Sequence, residues 1–333
     1  MKKIFSFCLT LVLLAGLLTG CGTASDTSAP NTQTKSLHIV TTIFPTYDWV
    51  RTVLGEQADN AEITFLLDNG VDMHSYQPSA EDIMKISSCD VFVYAGGESD
   101  AWASDALKNA SNKNMQVINL LDVLGEHAKE EETVEGMQGA DDHEHGSGEP
   151  SEEEPEFDDH VWLSLKNAQL FVSAIADSLS QADIAHADAY AANAVAYNKQ
   201  LAQLDAAYQS AVDAAPIKTV LFADRFPFRY LVDDYGLSYY AAFSGCSADT
   251  QASFDTIIFL ADKVNELGLH RILTIENSDD KIANTIIQNT QSRDQQVRTL
   301  NSMQTVTSND LASGTTYLSI MKENLSVLSA ALQ

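Results

Sequence analysis

From Leu37 to Leu120 the chain alternates short β-branched runs with helical patterns, and the same alternation resumes after residue 216. No other feature constrains the fold as much, because strands separated by helices close into parallel sheets with helices on their faces. In the first half, strands are expected at Leu37–Ile43, Ala61–Leu67, Asp90–Ala95 and Met115–Leu120. Pro45 opens a helix in the first turn, where its missing N–H costs nothing, and helices follow at Ser79–Ser87, with Ser79 as cap, and at Asp100–Asn109. In the second half, Lys218–Ala223, Leu237–Phe243, His270–Ile275 and Gln296–Leu300 read as strands. Helices are expected there at Phe228–Tyr235, Thr250–Leu267, Lys281–Thr290 and, closing the chain, from Asp310 to Ala331.

The two halves are separated by a helical pattern at Asn167–Ala182 and by the segment His186–Ala215, which holds twelve alanines and neither Gly nor Pro. Tyr190, Ala194, Tyr197, Leu201, Leu204 and Tyr208 recur there at alternating intervals of four and three, which draws one apolar stripe along a helix. At ~1.5 Å per residue such a helix is roughly 45 Å long, about the length of a domain, and stiff enough to restrict hinge motion. The expected fold class is α/β: two lobes, each a parallel sheet flanked by helices, joined by a long rigid helix. The lobes are bounded at 37–182 and 216–333, with the linking helix at 183–215.

The N-terminus has the form of a secretion signal. Lys2 and Lys3 precede an apolar run from Ile4 to Leu18, too short for an ordinary membrane span. Leu18-Thr19-Gly20-Cys21 then looks like a lipobox, so that 1–20 is removed, Cys21 carries lipid, and residues to Ser36 form a flexible tether. The expected location is the extracytoplasmic face of a bacterial cell membrane, lipid-anchored, as a monomer. A formal charge of −28, from 19 bases and 47 acids, disfavours nucleic acid and anionic lipid and favours cations. Of the four cysteines, Cys8 lies in the signal and Cys21 in the lipobox, and Cys89 and Cys246 read as buried free thiols.

Glu126 to His160 holds fifteen acids and four histidines against one base, Lys129. Charge runs are usually solvated and disordered, yet imidazoles with carboxylates also collect divalent cations. His127, His143 and His145 are candidates for such capture in the acidic loop 126–159, and His160 stands where ordered sequence resumes. Ligands of open α/β sheets bind beyond the carboxyl ends of strands. That rule selects His74 after the second strand, Asp224 and Arg225 after Ala223, and Glu276 after Ile275, with Asp279 and Asp280 as secondary candidates. Together with His160 they supply imidazoles and carboxylates from both halves, enough to clamp the lobes around one metal ion. Each also has a plainer role open to it: a loop hydrogen bond for His74, a helix cap for His160, a pair with Arg225 or Arg229 for Asp224, and a helix-entry acid for Glu276.

Ile39-Val40-Thr41-Thr42-Ile43-Phe44-Pro45, His74-Ser75-Tyr76-Gln77-Pro78-Ser79 and Asp90-Val91-Phe92-Val93-Tyr94 resemble the solute-binding lipoproteins of zinc and manganese ABC transporters. Asp159-His160-Val161-Trp162-Leu163-Ser164 is similar to that family's second histidine motif, and Phe228-Arg229-Tyr230-Leu231 with Tyr235-Gly236-Leu237 to its third block. The resemblance implies two α/β lobes with metal between them, His74 and His160 as the first two ligands, and Glu276 at a position where some zinc members carry a carboxylate. It also implies partners, an ABC permease and its ATPase, and no enzymatic activity. The third ligand position departs from the family, because Arg225 stands where zinc members carry His and manganese members Glu. A guanidinium has no lone pair to offer. Either Asp224 takes the role, which is our choice, or water does, with Arg225 pairing a carboxylate. Zn2+ is the expected cargo, with Mn2+ as the alternative, since a nitrogen-bearing set favours zinc in the usual divalent order. Two other classes compete: a secreted zinc hydrolase, for which neither H-E-x-x-H nor G-x-S-x-G is present, and an adhesin in which metal is incidental.

Overall fold

The computed structural model describes residues 36–138, 156–247 and 249–333. The signal segment, Cys21 and nearly all of its tether, and His143 and His145 lie outside those residues. The first sheet is built by β1 (His38–Thr41), α1 (Phe44–Leu54), β2 (Glu62–Phe65), α2 (Ala80–Ser88), β3 (Val91–Tyr94), α3 (Trp102–Lys108) and β4 (Gln116–Asn119). Its strands are all parallel, in the order β2-β1-β3-β4. Local chemistry sets the boundaries. Pro45 lies in the first turn of α1, and Ser79 and Asp82 cap each other's backbone at the start of α2. A short helix not expected from the pattern, α4 (Leu120–Leu124), follows β4 because Asn119 Oδ1 accepts the N–H groups of Leu121 and Asp122.

Two long helices come next, α5 (Leu165–Ala182) and α6 (Ala187–Ala214). The apolar stripe of α6 is buried as its spacing requires, from Tyr190 through Tyr208 to Val212. At its start Asn193 Nδ2 donates to Val53 O of α1 at 2.9 Å, and near its end Tyr208 OH donates to Met321 O at 2.6 Å. One helix of 28 residues, about 42 Å at 1.5 Å per residue, therefore grips both lobes.

The second sheet contains β5 (Thr219–Phe226), β6 (Ser238–Ser244), β7 (Arg271–Thr274) and β8 (Gln296–Thr299), parallel in the order β6-β5-β7-β8. Its helices are α7 (Arg229–Tyr235), α8 (Phe254–Leu267), α9 (Lys281–Asn289), α10 (Ser308–Ala312) and α11 (Tyr317–Ala331). Two elements differ from expectation. β5 does not stop at Ala223 but runs to Phe226, with a register shift between Phe222 and Arg225, so Asp224 and Arg225 lie within a strand bent by a bulge. The closing helix is two helices, because Gly314 adopts φ 87° after the first and Thr316 caps the second.

Ser36–Gln333 form one compact unit. Side chains from both sheets and from α6, among them Phe92, Tyr190, Leu201, Phe222 and Tyr239, share one buried apolar cluster. A smaller cluster around Leu260, Ile272 and Ile286 packs α8 and α9 on the second sheet. At the seam, Asp48 Oδ2 accepts the Tyr317 N–H at 3.0 Å and ties α1 to α11. Burial pushes the Asp48 carboxyl up to about 6, against that hydrogen bond and the Arg51 charge. A carboxyl raised above its ordinary 3.8 weakens the fold as it ionises: the penalty is absent below that value and complete above about 6. Asp48→Asn keeps an acceptor for Tyr317 and is expected to stabilise by on the order of 2 kcal/mol at about pH 8, and by nothing at about pH 3. Denaturant titrations at both pH values check this, and an equal gain at each would contradict it.

Candidate metal centre

Loops from the carboxyl ends of both sheets converge on the segment that leads into α5. His74 lies in the short turn Met73–Ser75 beyond β2, where Asp72 Oδ1 accepts its main-chain N–H at 3.1 Å. Its Nδ1 is 2.7 Å from Ser99 Oγ, on the loop after β3. His160 precedes the turn Val161–Leu163 and is wholly buried. Asp158 Oδ1 accepts the His160 main-chain N–H at 2.8 Å and lies 3.0 Å from its Nδ1. These outer contacts fix both rings and leave their Nε2 atoms facing each other at 3.1 Å. Two nitrogens bound at about 2.0–2.1 Å to one tetrahedral zinc ion are about 3.3 Å apart, so the pair already stands near coordinating separation.

Two further groups join them. Among the described residues, His74, Asp159, His160 and Cys246 offer ligand atoms that all lie within 4.8 Å of one another. Asp159 Oδ1 is 3.7 Å from His160 Nδ1 and 3.5 Å from Cys246 Sγ. Cys246 sits in the loop after β6, and Glu131 Oε1 accepts its N–H at 3.1 Å. The approach depends on two glycines. A Cβ at Gly97, where φ is +74°, would lie 2.9 Å from Asp159 Cβ, and one at Gly245 would lie 3.1 Å from His160 Cε1.

Electrostatics separate the two imidazoles. Burial, and then the neighbouring His160, push His74 down to about 4, so its ring is neutral and has a lone pair to give. Burial opposes a charge on His160 too, but the Asp158 carboxylate, through its field and its hydrogen bond, outweighs that with help from Asp159 and leaves His160 raised. The two Nε2 atoms lie 3.1 Å apart, at the point where two lone pairs would meet a cation. Burial also pushes Asp100 up to about 7, and its Oδ2 holds the loop bearing Ser99 by accepting the Ala95 and Gly96 N–H groups at 2.9 and 3.2 Å.

The other sequence candidates lie apart from this group. Asp224, Glu276 and Asp279 line a separate cavity of about 480 Å3 with Arg225. Asp224 Oδ1 accepts the Arg225 N–H at 2.9 Å. The Arg225 guanidinium reaches across to Asp72 Oδ2 at 2.6 Å, pairing a carboxylate of the other lobe. Glu276 is occupied as a loop clamp, accepting the Ser302 N–H at 2.6 Å, the Ser302 hydroxyl at 2.8 Å and the Gln304 N–H at 3.0 Å. Asp279 pairs with Lys281, and Asp280 accepts the Thr274 hydroxyl at 3.4 Å. His127 is exposed at the end of the turn Gly125–His127.

The two ends of the acidic loop meet at the mouth of the centre. Glu130 bridges Phe157, Glu131 N donates to Glu156 O at 2.9 Å, and Asp158 N donates to Lys129 O at 2.9 Å. Tyr230 of α7 pins this neck: its hydroxyl accepts the Lys129 N–H at 2.9 Å and donates to Asp158 O at 3.0 Å. The cavity beside it, about 580 Å3, is lined by His74, Asp159 and Cys246 and by the acids Glu98, Glu131 and Glu156. Such a ring of carboxylates raises the local concentration of cations. Asp159 and Cys246 were not among the ligand candidates that the sequence offered. Their signal was adjacency, Asp159 to His160 and Cys246 to a glycine at a strand end, without any ligand spacing.

Known proteins share this architecture. The family model described as ZnuA, zinc-uptake complex component A, periplasmic, matches residues 39–331. The zinc-binding lipoprotein AdcA of Streptococcus pneumoniae (strain ATCC BAA-255 / R6) is 33% identical over 295 residues, 88% of this chain and 55% of AdcA, so the chain spans about half the length of that relative. The high-affinity zinc uptake system protein ZnuA of Bacillus subtilis (strain 168) is 26% identical over 316 residues, 95% of this chain and 94% of its own. The crystal structure of the Zn(II)-bound ZnuA-like domain of Streptococcus pneumoniae AdcA superposes with a TM-score of 0.68 at 29% identity, covering 89% of this chain and 99% of that one. These relatives are metal-binding proteins and not enzymes. The two parallel sheets, the strut between them and the match along nearly the whole described body make this chain a member of the ZnuA family of zinc-uptake binding proteins.

Proposed function

We propose that the protein captures Zn2+ outside the cell membrane, anchored by lipid on Cys21, and delivers it to an ABC permease driven by a separate ATPase. His74 and His160 hold the ion through Nε2, and Asp159 supplies a carboxylate. The observation that carries this is the 3.1 Å approach of two imidazole nitrogens from segments 86 residues apart. Ser99 and Asp158 orient the rings, as outer partners of metal-bound histidines do. The α6 strut permits only a modest closing movement, so capture relies on a site held nearly formed. The zinc-binding relatives and the carboxylate-lined mouth support the same cargo. Among the described residues no helix is long and apolar enough to cross a membrane.

Protein purified without added metal is expected to carry one zinc ion per chain and to keep it against equimolar manganese. Cells lacking the protein should lose zinc accumulation at limiting supply and regain it with the wild-type chain, and Cys21→Ser should free the protein from the membrane fraction. Substoichiometric zinc, or uptake unchanged in the deletion strain, would sink the proposal.

A further inference from the structure

We infer that Cys246 is a zinc ligand, so that this chain holds its cargo in a two-imidazole, one-carboxylate, one-thiolate site that rejects manganese. The inference rests on the capture function proposed above and names the group that completes it. Where the family resemblance leads to a nitrogen or carboxylate at position 225, the structure has a guanidinium turned to Asp72, which cannot coordinate. A different C-lobe atom meets the histidines: Cys246 Sγ, from the loop after β6, inside the same four-residue group. On a tetrahedral zinc ion with Zn–S about 2.3 Å and Zn–O about 2.0 Å, sulfur and oxygen are about 3.5 Å apart. Cys246 Sγ and Asp159 Oδ1 are separated by 3.5 Å.

Three features show that this approach is built into the chain. At Gly245 a Cβ would lie 3.0 Å from Phe226 O and 3.1 Å from His160 Cε1, so the loop packs against the His160 ring more tightly than a side chain there would fit without a shift. Glu131 Oε1 holds the Cys246 N–H, fixing the loop to the neck of the acidic segment. Among the described residues, Cys246 is free of any disulfide, and the other free thiol, Cys89, is buried elsewhere with its Sγ donating to Ile86 O at 3.2 Å. One carboxylate and one thiolate offset the two charges of the dication, with the buried Asp158 carboxylate as a further negative charge against His160 Nδ1 and Arg225 paired with Asp72 beside them. As the S–Zn bond forms, the thiol proton leaves to solvent. The consequence is selectivity. A thiolate is a soft donor that suits zinc and cadmium and disfavours manganese, whose preferred donors are oxygen.

The test uses the intact protein loaded with Co2+ in place of Zn2+. Wild-type protein should show an intense thiolate-to-cobalt charge-transfer absorption in the near ultraviolet, which Cys246→Ser should lack. Cys246→Ser should also bind zinc at least about 10-fold more weakly, with a smaller change for manganese, so that the zinc-to-manganese preference narrows. A wild-type cobalt spectrum without that band, or a band that survives in Cys246→Ser, would overturn the assignment, and neither outcome depends on the variant's affinity. If the band is absent while wild-type protein still binds one zinc that His74→Ala abolishes, capture stands and the thiolate falls. If neither protein binds zinc, capture itself fails.

Discussion

Zinc affinity is expected to fall by at least about 100-fold in His74→Ala, roughly 2.7 kcal/mol of binding free energy. The size follows from what the residue supplies. Losing a partner that merely orients a metal-bound histidine typically costs about 10–100-fold, and here the donor atom itself goes. The fold should tolerate the change. The His74 ring contacts Ser99 and His160, whereas the core is anchored next door by Met73, which is 2% exposed. Apo protein should therefore melt as wild type does, while the rise in melting temperature on adding zinc should shrink by the amount that the weaker binding predicts. Asp224→Ala makes a suitable control, because Asp224 lies outside the ligand group and should leave zinc affinity within about 3-fold. Competition against a chromophoric chelator measures both variants. An affinity for His74→Ala within about 3-fold of wild type would remove the imidazole pair from the argument.

The parts of this protein that follow periodic rules were legible before any coordinates. The stripe from Tyr190 to Tyr208 is buried because a residue repeating at 3.6 per turn has only one face to present. Ser79 caps α2 as its place before that helix predicts, and the structure adds the reciprocal contact from Asp82 to the Ser79 backbone. Strand-end placement and motif made His74 and His160 the first candidates, and the structure brings their rings together. What stayed hidden depends on where loops return in three dimensions. The register shift in β5 carries the strand past Asp224, so a residue expected on an open loop is held inside a sheet. Glu276 is a ligand candidate in one dimension, and in three its oxygens accept three donors from the 302–304 loop, outside the group that His74 and His160 form with Asp159 and Cys246. Cys246 looked like an inert thiol, because nothing local in the sequence reveals that Gly245 lets its loop descend onto His160. Gly314 lay in view inside the expected closing helix, but helical periodicity on both sides masked the break.

The second large effect is on stability. Trp162, two residues beyond His160, is fully buried and links three parts of the molecule. Its Nε1 donates to Ser302 O at 2.8 Å in the second lobe, its carbonyl accepts the Tyr317 hydroxyl at 2.7 Å from α11, and its ring lies 5.3 Å from the His160 ring. Trp162→Ala removes a large core side chain and leaves the Ser302 carbonyl without its donor, and truncations of this kind cost about 3–5 kcal/mol. For a chain of this size the melting temperature should drop by roughly 10 °C. Because the ring also packs beside His160, zinc binding should weaken in the same variant, though by less than in His74→Ala, since the donor atoms remain. Trp162→Phe separates the two contributions: it restores most of the volume but not the N–H, so it should recover the larger part of the stability while the Ser302 carbonyl stays unpaired. Thermal unfolding of all three proteins, with and without zinc, measures these effects. A melting temperature for Trp162→Ala within about 2 °C of wild type would show that the seam between the lobes is held elsewhere.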